Sequence, residues 1–216
     1  MTSTQAFYGR WAAVYDRLAS APGVGSWRER AADALDVDAG DTVVEMGCGT
    51  GANVPALSER VGPAGRVVGL DVTREMLLRA REHPRRVGET VDWVQADAVR
   101  PPVSDADAVL STFVAGIFPD PAAAVDAWCD CVRPGGRVAL LNFQRSDRTL
   151  AAPLNVAFEG FVRLSAPGTR LSRRSHASAF EQRVAAARER LTERTVARRY
   201  ETFAGGFLGL VSGRVT

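Results

Sequence analysis

Lysine is absent from this chain: all 27 of its basic residues are arginine. That bias reads as the signature of a GC-rich genome, not as a mechanism. Cysteine is scarce. The three thiols, Cys48, Cys129 and Cys131, cannot build a disulfide framework and read as reduced. Cys129 and Cys131 stand two apart on an expected helix, so their side chains diverge, and neither His nor a third Cys lies near them to complete a metal set. No apolar run is long enough to span a bilayer. Met1–Gln5 has no basic stretch leading into an apolar core, so no secretory leader is expected and the chain reads as cytoplasmic. Internal repeats and low-complexity tracts are missing too. What remains is ordinary for a globular protein, with 46% hydrophobic and 24% charged residues in a length suited to a single domain.

The net charge of +2 conceals an asymmetry. Residues 31–130 carry 17 acids against 8 Arg, and residues 161–200 carry 10 Arg against 3 Glu. The basic part suits either a solvated helical face or contact with an anionic membrane surface. Aromatic and basic residues are not interleaved as an RNA-binding surface requires, so nucleic acid is not expected as a partner.

One stretch organises the rest: Val43-Val44-Glu45-Met46-Gly47-Cys48-Gly49-Thr50-Gly51-Ala52. An apolar strand runs into a glycine-rich turn, and a helix over Ala52–Arg60 follows. Glycine removes the Cβ that would keep a ligand from the backbone. The N-terminus of the helix, with unpaired N–H groups and about half a unit of positive charge, suits a carboxylate or phosphate. As a bare pattern, Gly47-x-Gly49-x-x-Ala52 also fits a dinucleotide fingerprint.

Read in order, the chain opens with apolar residues at helical spacing (Phe7, Trp11, Val14, Tyr15, Leu18). A second helix, capped by Ser26, is expected to run to about Leu35. Strand and helix then alternate. Strands are expected at Thr42–Met46, Arg66–Asp71, Thr90–Ala96, Asp107–Thr112 and Arg137–Phe143. Helices are expected from Thr73 to Glu82 and over Pro119–Val132, with Pro134-Gly135-Gly136 as a turn. Short, β-branched, apolar strands separated by helices imply a doubly wound α/β sheet, mostly parallel, with helices on both faces. After Phe143 the alternation stops. A helix is expected over Arg145–Leu164, a polar Arg-rich loop over Ser165–Ser178 and a helix over Ala179–Leu191. Two strands joined through Gly205-Gly206, Thr195–Phe203 and Phe207–Val215, read as an antiparallel hairpin and bring the sheet to seven strands. The whole reads as one domain, with residues 1–36 as a helical lid and 144–194 as a helical insertion.

Four pieces in order carry a resemblance. Val43–Gly51 resembles the first motif of the class I S-adenosylmethionine (SAM) methyltransferases. Asp71 ends the second strand, where that family places an acid. Gln95-Ala96-Asp97-Ala98 resembles its adenine-contacting motif, and Arg133-Pro134-Gly135-Gly136 the turn before its fifth strand. The closing hairpin matches the family's seven-stranded, Rossmann-like ending. A finer resemblance, to the ubiquinone/menaquinone C-methyltransferases and bacterial phospholipid N-methyltransferases, rests on Tyr8–Asp16 and on Glu201–Val211. Two positions depart from the quinone enzymes: Arg17-Leu18 replaces their Asn-Asp pair, and Ser212 stands where their closing strand has His.

The resemblance implies SAM as cofactor and assigns roles. The Gly47, Cys48, Gly49 and Gly51 backbone would receive the amino-acid end of SAM, with Glu45 near its α-amino group or buttressing the loop. Asp71 would accept from the ribose diol. Asp97 and the Ala98 N–H would meet the adenine edge, Leu70, Val72 and Met76 its faces, and Ser111, Thr112 and Phe113 would floor the transfer site. His176 is the candidate general base and Tyr15 part of an aromatic lid with Tyr8 and Trp11. The acceptor expected is small and lipophilic, a quinone precursor or phospholipid-like molecule. Two other readings stay open: a nicotinamide-dependent Rossmann oxidoreductase and a non-catalytic SAM-binding module.

Overall fold

The computed structural model describes residues 24–82, 91–146 and 173–216. The expected lid residues Tyr8, Trp11 and Tyr15, the helix over 145–164 and Arg170 lie outside or almost wholly outside them. The elements are α1 (Val24–Asp33), β1 (Thr42–Met46), α2 (Val54–Val61), β2 (Arg66–Asp71), α3 (Arg74–Glu82), β3 (Val91–Gln95), β4 (Ala106–Thr112), α4 (Pro121–Asp130), β5 (Val132–Phe143), α5 (Arg173–Arg194), β6 (Thr195–Phe203) and β7 (Leu208–Val215). They form one seven-stranded sheet in the order β3-β2-β1-β4-β5-β7-β6. The first five strands pair in parallel, and β7 runs antiparallel to both β5 and β6. From β1 the chain goes out to β2 and β3, then returns to β4 on the other side. The crevice between the carboxyl ends of β1 and β4 is therefore the point where sheets of this kind receive ligands.

Successive side chains on each central strand enter different layers. Val43, Ala108, Leu110, Ala139 and Leu141 pack under Ala31, Leu35, Val54 and Leu57 of the α1–α2 side. Val44, Met46, Val109, Val138 and Leu140 pack under Val125, Trp128, Ala187 and Leu191 of the α4–α5 side. The two layers share the same strands, which is why those strands read as continuous apolar runs. All three cysteines are free and buried among the described residues. Burial pushes the Cys129 and Cys131 thiols up to about 11, which leaves them unreactive at neutral pH.

Several element ends differ from the sequence expectation. The first described helix begins at Val24, so Ser26 lies inside it and is not its cap. The helix after the glycine loop starts at Val54, because Gly51, at φ 68°, and Asn53 form a turn and Pro55 then sits in the first helical turn, where no N–H is needed. Asp120 caps α4 by accepting from the Ala123 amide at 3.0 Å, which moves that helix start to Pro121. The Pro134–Gly136 turn lies within β5, as an irregularity in its pairing with β4. A Cβ at Gly136 would lie 2.4 Å from the Asp107 carbonyl oxygen, so only glycine lets the strands close there. Finally, α5 begins at Arg173. The end of the expected polar loop is helical, and His176 stands on the first turn of a 22-residue helix.

The arginine excess of α5 has internal partners. Arg190 reaches both oxygens of Asp126 at 2.9 and 3.0 Å, and Arg194 bridges Asp126 and Asp130. Burial opposes ionisation of Asp126, but the two guanidinium groups win and hold its carboxyl below the usual range. These two arginines belong to the packing of α5 on α4 and are not available to a membrane. No helix of the described residues is long and apolar enough to cross one.

Candidate active site

The glycine loop leaves β1 and is pinned from β2. The amides of Gly47 and Cys48 both donate to the Leu70 carbonyl, at 2.8 and 2.9 Å, and that of Gly51 donates to Cys48 at 2.8 Å. The Gly49 amide donates to Asp71 Oδ2 at 2.9 Å. Most of the loop's N–H groups thus hold the loop itself. Its glycines divide the work. At Gly47, φ is +71° and a Cβ would lie 2.8 Å from the Val114 side chain, so this glycine makes room for a packed neighbour. At Gly49, φ is +55° and nothing stands within 4 Å of the Cβ position. The backbone is bare there and faces open space, a cradle that a ligand's small polar end can fill.

Asp71 ties the parts together. Its Oδ2 takes the Gly49 amide and its Oδ1 the Thr73 amide, at 2.9 and 2.7 Å, so one carboxylate fixes both the loop and the entry to α3. A carboxylate has about four acceptor positions. The two amides and the Thr73 side chain take part of them, and what is left suits hydroxyl donors. Burial is the largest influence on Asp71 and raises its pKa, with the bonds from Thr73 and Gly49 opposing the rise. Beside it, Val72 exposes 43% of its surface, an apolar side chain with no cover at the end of β2. Leu70 is fully buried in the core and serves through its carbonyl, while Met76 is buried under α3. The Cys48 side chain is also buried, and its thiol turns back to the Gly49 carbonyl at 3.9 Å.

After β3, Asp97 Oδ1 accepts from the Val99 amide at 3.0 Å and forms a tight turn with an exposed carboxylate edge. Ala98 is held through its carbonyl, which accepts from the buried Trp128 indole at 2.8 Å. No described residue accepts from the Ala98 N–H. An exposed carboxylate and an available amide, one residue apart, can accept from and donate to the edge of a purine.

Sequence reasoning missed Asn53. As the residue before a helix it reads as an N-cap, but its amide nitrogen turns inward to the buried Glu45 carboxylate and to Thr112 Oγ1 at 2.9 Å. The network links β1, the start of α2 and the end of β4 beneath the glycine loop. Glu45 therefore buttresses the loop from below. Ser111 faces the opposite layer, and its hydroxyl is buried without a hydrogen-bond partner. Of the aromatic residues, Phe113 stacks on Phe143 at 4.5 Å. Phe180 of α5 packs on Gly116 just beyond β4, where a Cβ would lie 2.3 Å from its ring. His176 is one turn before Phe180, which brings its helix to the β4 end of the crevice.

The family described as a methyltransferase domain matches residues 44–140. The chain is 34% identical over 154 residues to phosphatidylethanolamine N-methyltransferase of Cereibacter sphaeroides, covering 67% of this chain and 70% of that one. The chain belongs to the SAM-dependent methyltransferases. It is also 34% identical over 148 residues to 2-phytyl-1,4-naphtoquinone methyltransferase of Thermosynechococcus vestitus, covering 66% of this chain and 65% of that one. The plant counterpart of that enzyme, from Arabidopsis thaliana, is 30% identical, and the chain spans 58% of its length. The chain thus spans a little under two thirds of these two relatives. The fold is that of an N-methyltransferase from Bradyrhizobium japonicum determined with S-adenosyl-L-homocysteine, with a TM-score of 0.65, 18% identity and 99% of both chains covered. The cofactor that goes with this family is SAM. The bare Gly49 backbone, the spare acceptor positions of Asp71 and the available Ala98 amide suit its amino-acid end, ribose and adenine.

Proposed function

We propose that this methyltransferase moves the methyl group of SAM to a small lipophilic acceptor, a quinone precursor or a phospholipid-like amine. The observation that carries the reading is the Asp71 carboxylate, held between the glycine loop and α3 beside the exposed Val72. In this reading Asp71 receives the ribose diol, Val72 and Met76 cover the adenine, and Asp97 with the Ala98 N–H reads its edge. Gly47, Cys48, Gly49 and Gly51 supply the backbone for the amino-acid end, and Glu45 holds that backbone through Asn53. Thr112 lies at the β4 side of the site, with Ser111 behind it. SAM supplies an already activated methyl group, so the protein's task is to hold the acceptor in line and keep water out. In this reading residues 144–194 supply the acceptor cover, apart from the end of α5 that packs on α4 and the sheet, and Tyr15 belongs to the lid over it. His176 takes a proton from an acceptor that must lose one. An anionic membrane surface is the proposed source of a lipid acceptor. The names of the quinone and phosphatidylethanolamine relatives support the acceptor class.

The test is transfer of labelled methyl from SAM to two probes, a demethylated prenyl-naphthohydroquinone and phosphatidylethanolamine vesicles. Label is expected in the organic phase with one of them. If S-adenosylhomocysteine binds but neither probe is labelled, the lipophilic acceptor is wrong and the cofactor site stands.

A further inference from the structure

A second polar cluster lies on the α1 side of the sheet, across β5, β7 and β6. Register places Arg137 of β5 opposite Arg214 of β7, Ala139 opposite Ser212, and Ser212 opposite Arg199 of β6. Directly paired residues share a face. Arg137, Arg214, Ser212 and Arg199 therefore lie on one face, with Arg137 and Arg214 toward the sheet end opposite the glycine loop. Like charges directly across two strands destabilise a sheet unless acids answer them; Asp36 answers Arg137, and Arg214 has no such partner among the described residues.

Further observations point the same way. Arg137 is buried; its Nη2 reaches Asp36 at 3.2 Å, but its Nη1 is buried with no hydrogen-bond partner. The Ser212 hydroxyl is likewise buried and unpartnered. Arg199 and Arg214 are exposed and form no ion pair among the described residues. Alongside, a groove of about 550 Å³ opens between α1 and the edge strand, lined by Arg30, Asp33, Arg199, Tyr200 and Ser212 among others. The groove's acids are already engaged: Glu201 with Arg30 at 3.1 Å, and Asp33 with Arg60 at 2.8 Å. Of the groove's two arginines and two acids, Arg199 alone has no ion-pair partner among the described residues, and the groove's volume is within the usual range for small-ligand sites.

We propose that this groove binds a phosphate-bearing ligand, at a site separate from that of SAM. The phosphate oxygens accept from the Arg199 guanidinium in the groove and from that of Arg214, which stands on the same face just outside the groove's lining; their planar forks match an oxyanion. The Ser212 hydroxyl, in the groove's lining and opposite Arg199, is the buried donor beside them. The same chemistry is found in a soluble phosphate ester and in a phospholipid headgroup.

Titration of the full chain with pyrophosphate, by calorimetry at low ionic strength, tests the site, with phosphatidic acid vesicles as the second arm. Saturable binding that weakens with salt is expected for at least one probe. Binding of pyrophosphate assigns a soluble ligand, and binding of vesicles alone assigns a headgroup. In either case the double variant Arg199→Ser/Arg214→Ser should bind the same probe at least tenfold more weakly. Both side chains are exposed, so its melting curve and S-adenosylhomocysteine affinity should stay those of the parent. Binding of neither probe, binding unchanged in the double variant, or competition between pyrophosphate and S-adenosylhomocysteine would each overturn the proposal. Failure of methyl transfer would leave it untouched, because the groove shares no residue with the SAM site.

Discussion

Asp71→Ala is expected to weaken S-adenosylhomocysteine binding by about 2–4 kcal/mol, roughly thirty- to a thousandfold, since bonds to a charged acceptor are worth about 1.5–3 kcal/mol each and water recovers part of the loss. The melting temperature should move far less. Burial raises the Asp71 pKa, so the group's sign on stability is the reverse of a salt-bridged carboxylate. Its contribution to folding is fully present below its unfolded pKa and is lost as pH rises through the higher folded value. At neutral pH the ionised carboxylate therefore burdens the free fold, and the amides of Gly49 and Thr73 offset only part of that burden. Hydroxyl donors from a ribose favour the ionised form and pull the pKa back down on binding. Affinity should therefore fall as pH drops through the raised pKa of the free protein. In Asp71→Asn this pH dependence should be absent. Calorimetric titrations of both variants beside their melting curves decide the point. Unchanged affinity in Asp71→Ala would mean that the carboxylate only staples the loop to α3.

The second large effect is expected at Trp128, which is fully buried between α4 and the sheet. Its ring meets Phe118 edge-on at 5.8 Å, and its indole N–H holds the Ala98 carbonyl at 2.8 Å. Trp128→Ala should destabilise the fold by about 3–5 kcal/mol, as large-to-small aromatic substitutions in a core do. Trp128→Phe keeps most of the packing but leaves the Ala98 carbonyl buried without its donor, at a cost of about 1–3 kcal/mol. If the Ala98 N–H meets the adenine as proposed, the Phe variant loses cofactor affinity as well as stability. Urea unfolding monitored by circular dichroism measures the first and calorimetry the second. A Phe variant as stable as its parent would show that the indole bond contributes nothing net.

How much of this was legible in the sequence follows from what each element depends on. The spans of β1 and β2 read correctly because apolar, β-branched runs are bounded by glycine or acidic turns, signals that are local; β6, mostly polar and exposed, is legible through the Gly205-Gly206 turn that ends it. The ends of α2 and α4 depend on where Asn53 and Asp120 place their side chains. Asn53 has the composition of a cap, yet a buried carboxylate on β1 and a threonine on β4 claim it; no local pattern announces that. The early start of α5 was hidden for a related reason. Its first turns carry Arg and Ser with no apolar rhythm before Phe180, and Asp126 and Asp130, which hold its last turns, are some sixty residues earlier in the chain. Those same acids explain why an arginine-rich stretch that reads as a membrane-facing surface is in part an internal helix contact. At the proposed site, Gly47, Gly49, Gly51, Asp71 and Asp97 are the residues the sequence points to. The structure adds how they are joined: Asp71 is itself the partner of the Gly49 amide, and Gly47 accommodates Val114.

The glycine loop, Asp71 and the Asp97–Ala98 turn are proposed to form one site for SAM. Isothermal titration of the full chain with S-adenosylhomocysteine and, separately, with NADH tests it most directly. The account predicts one-to-one binding of S-adenosylhomocysteine and no heat from NADH. Binding of NADH with none of S-adenosylhomocysteine would contradict it.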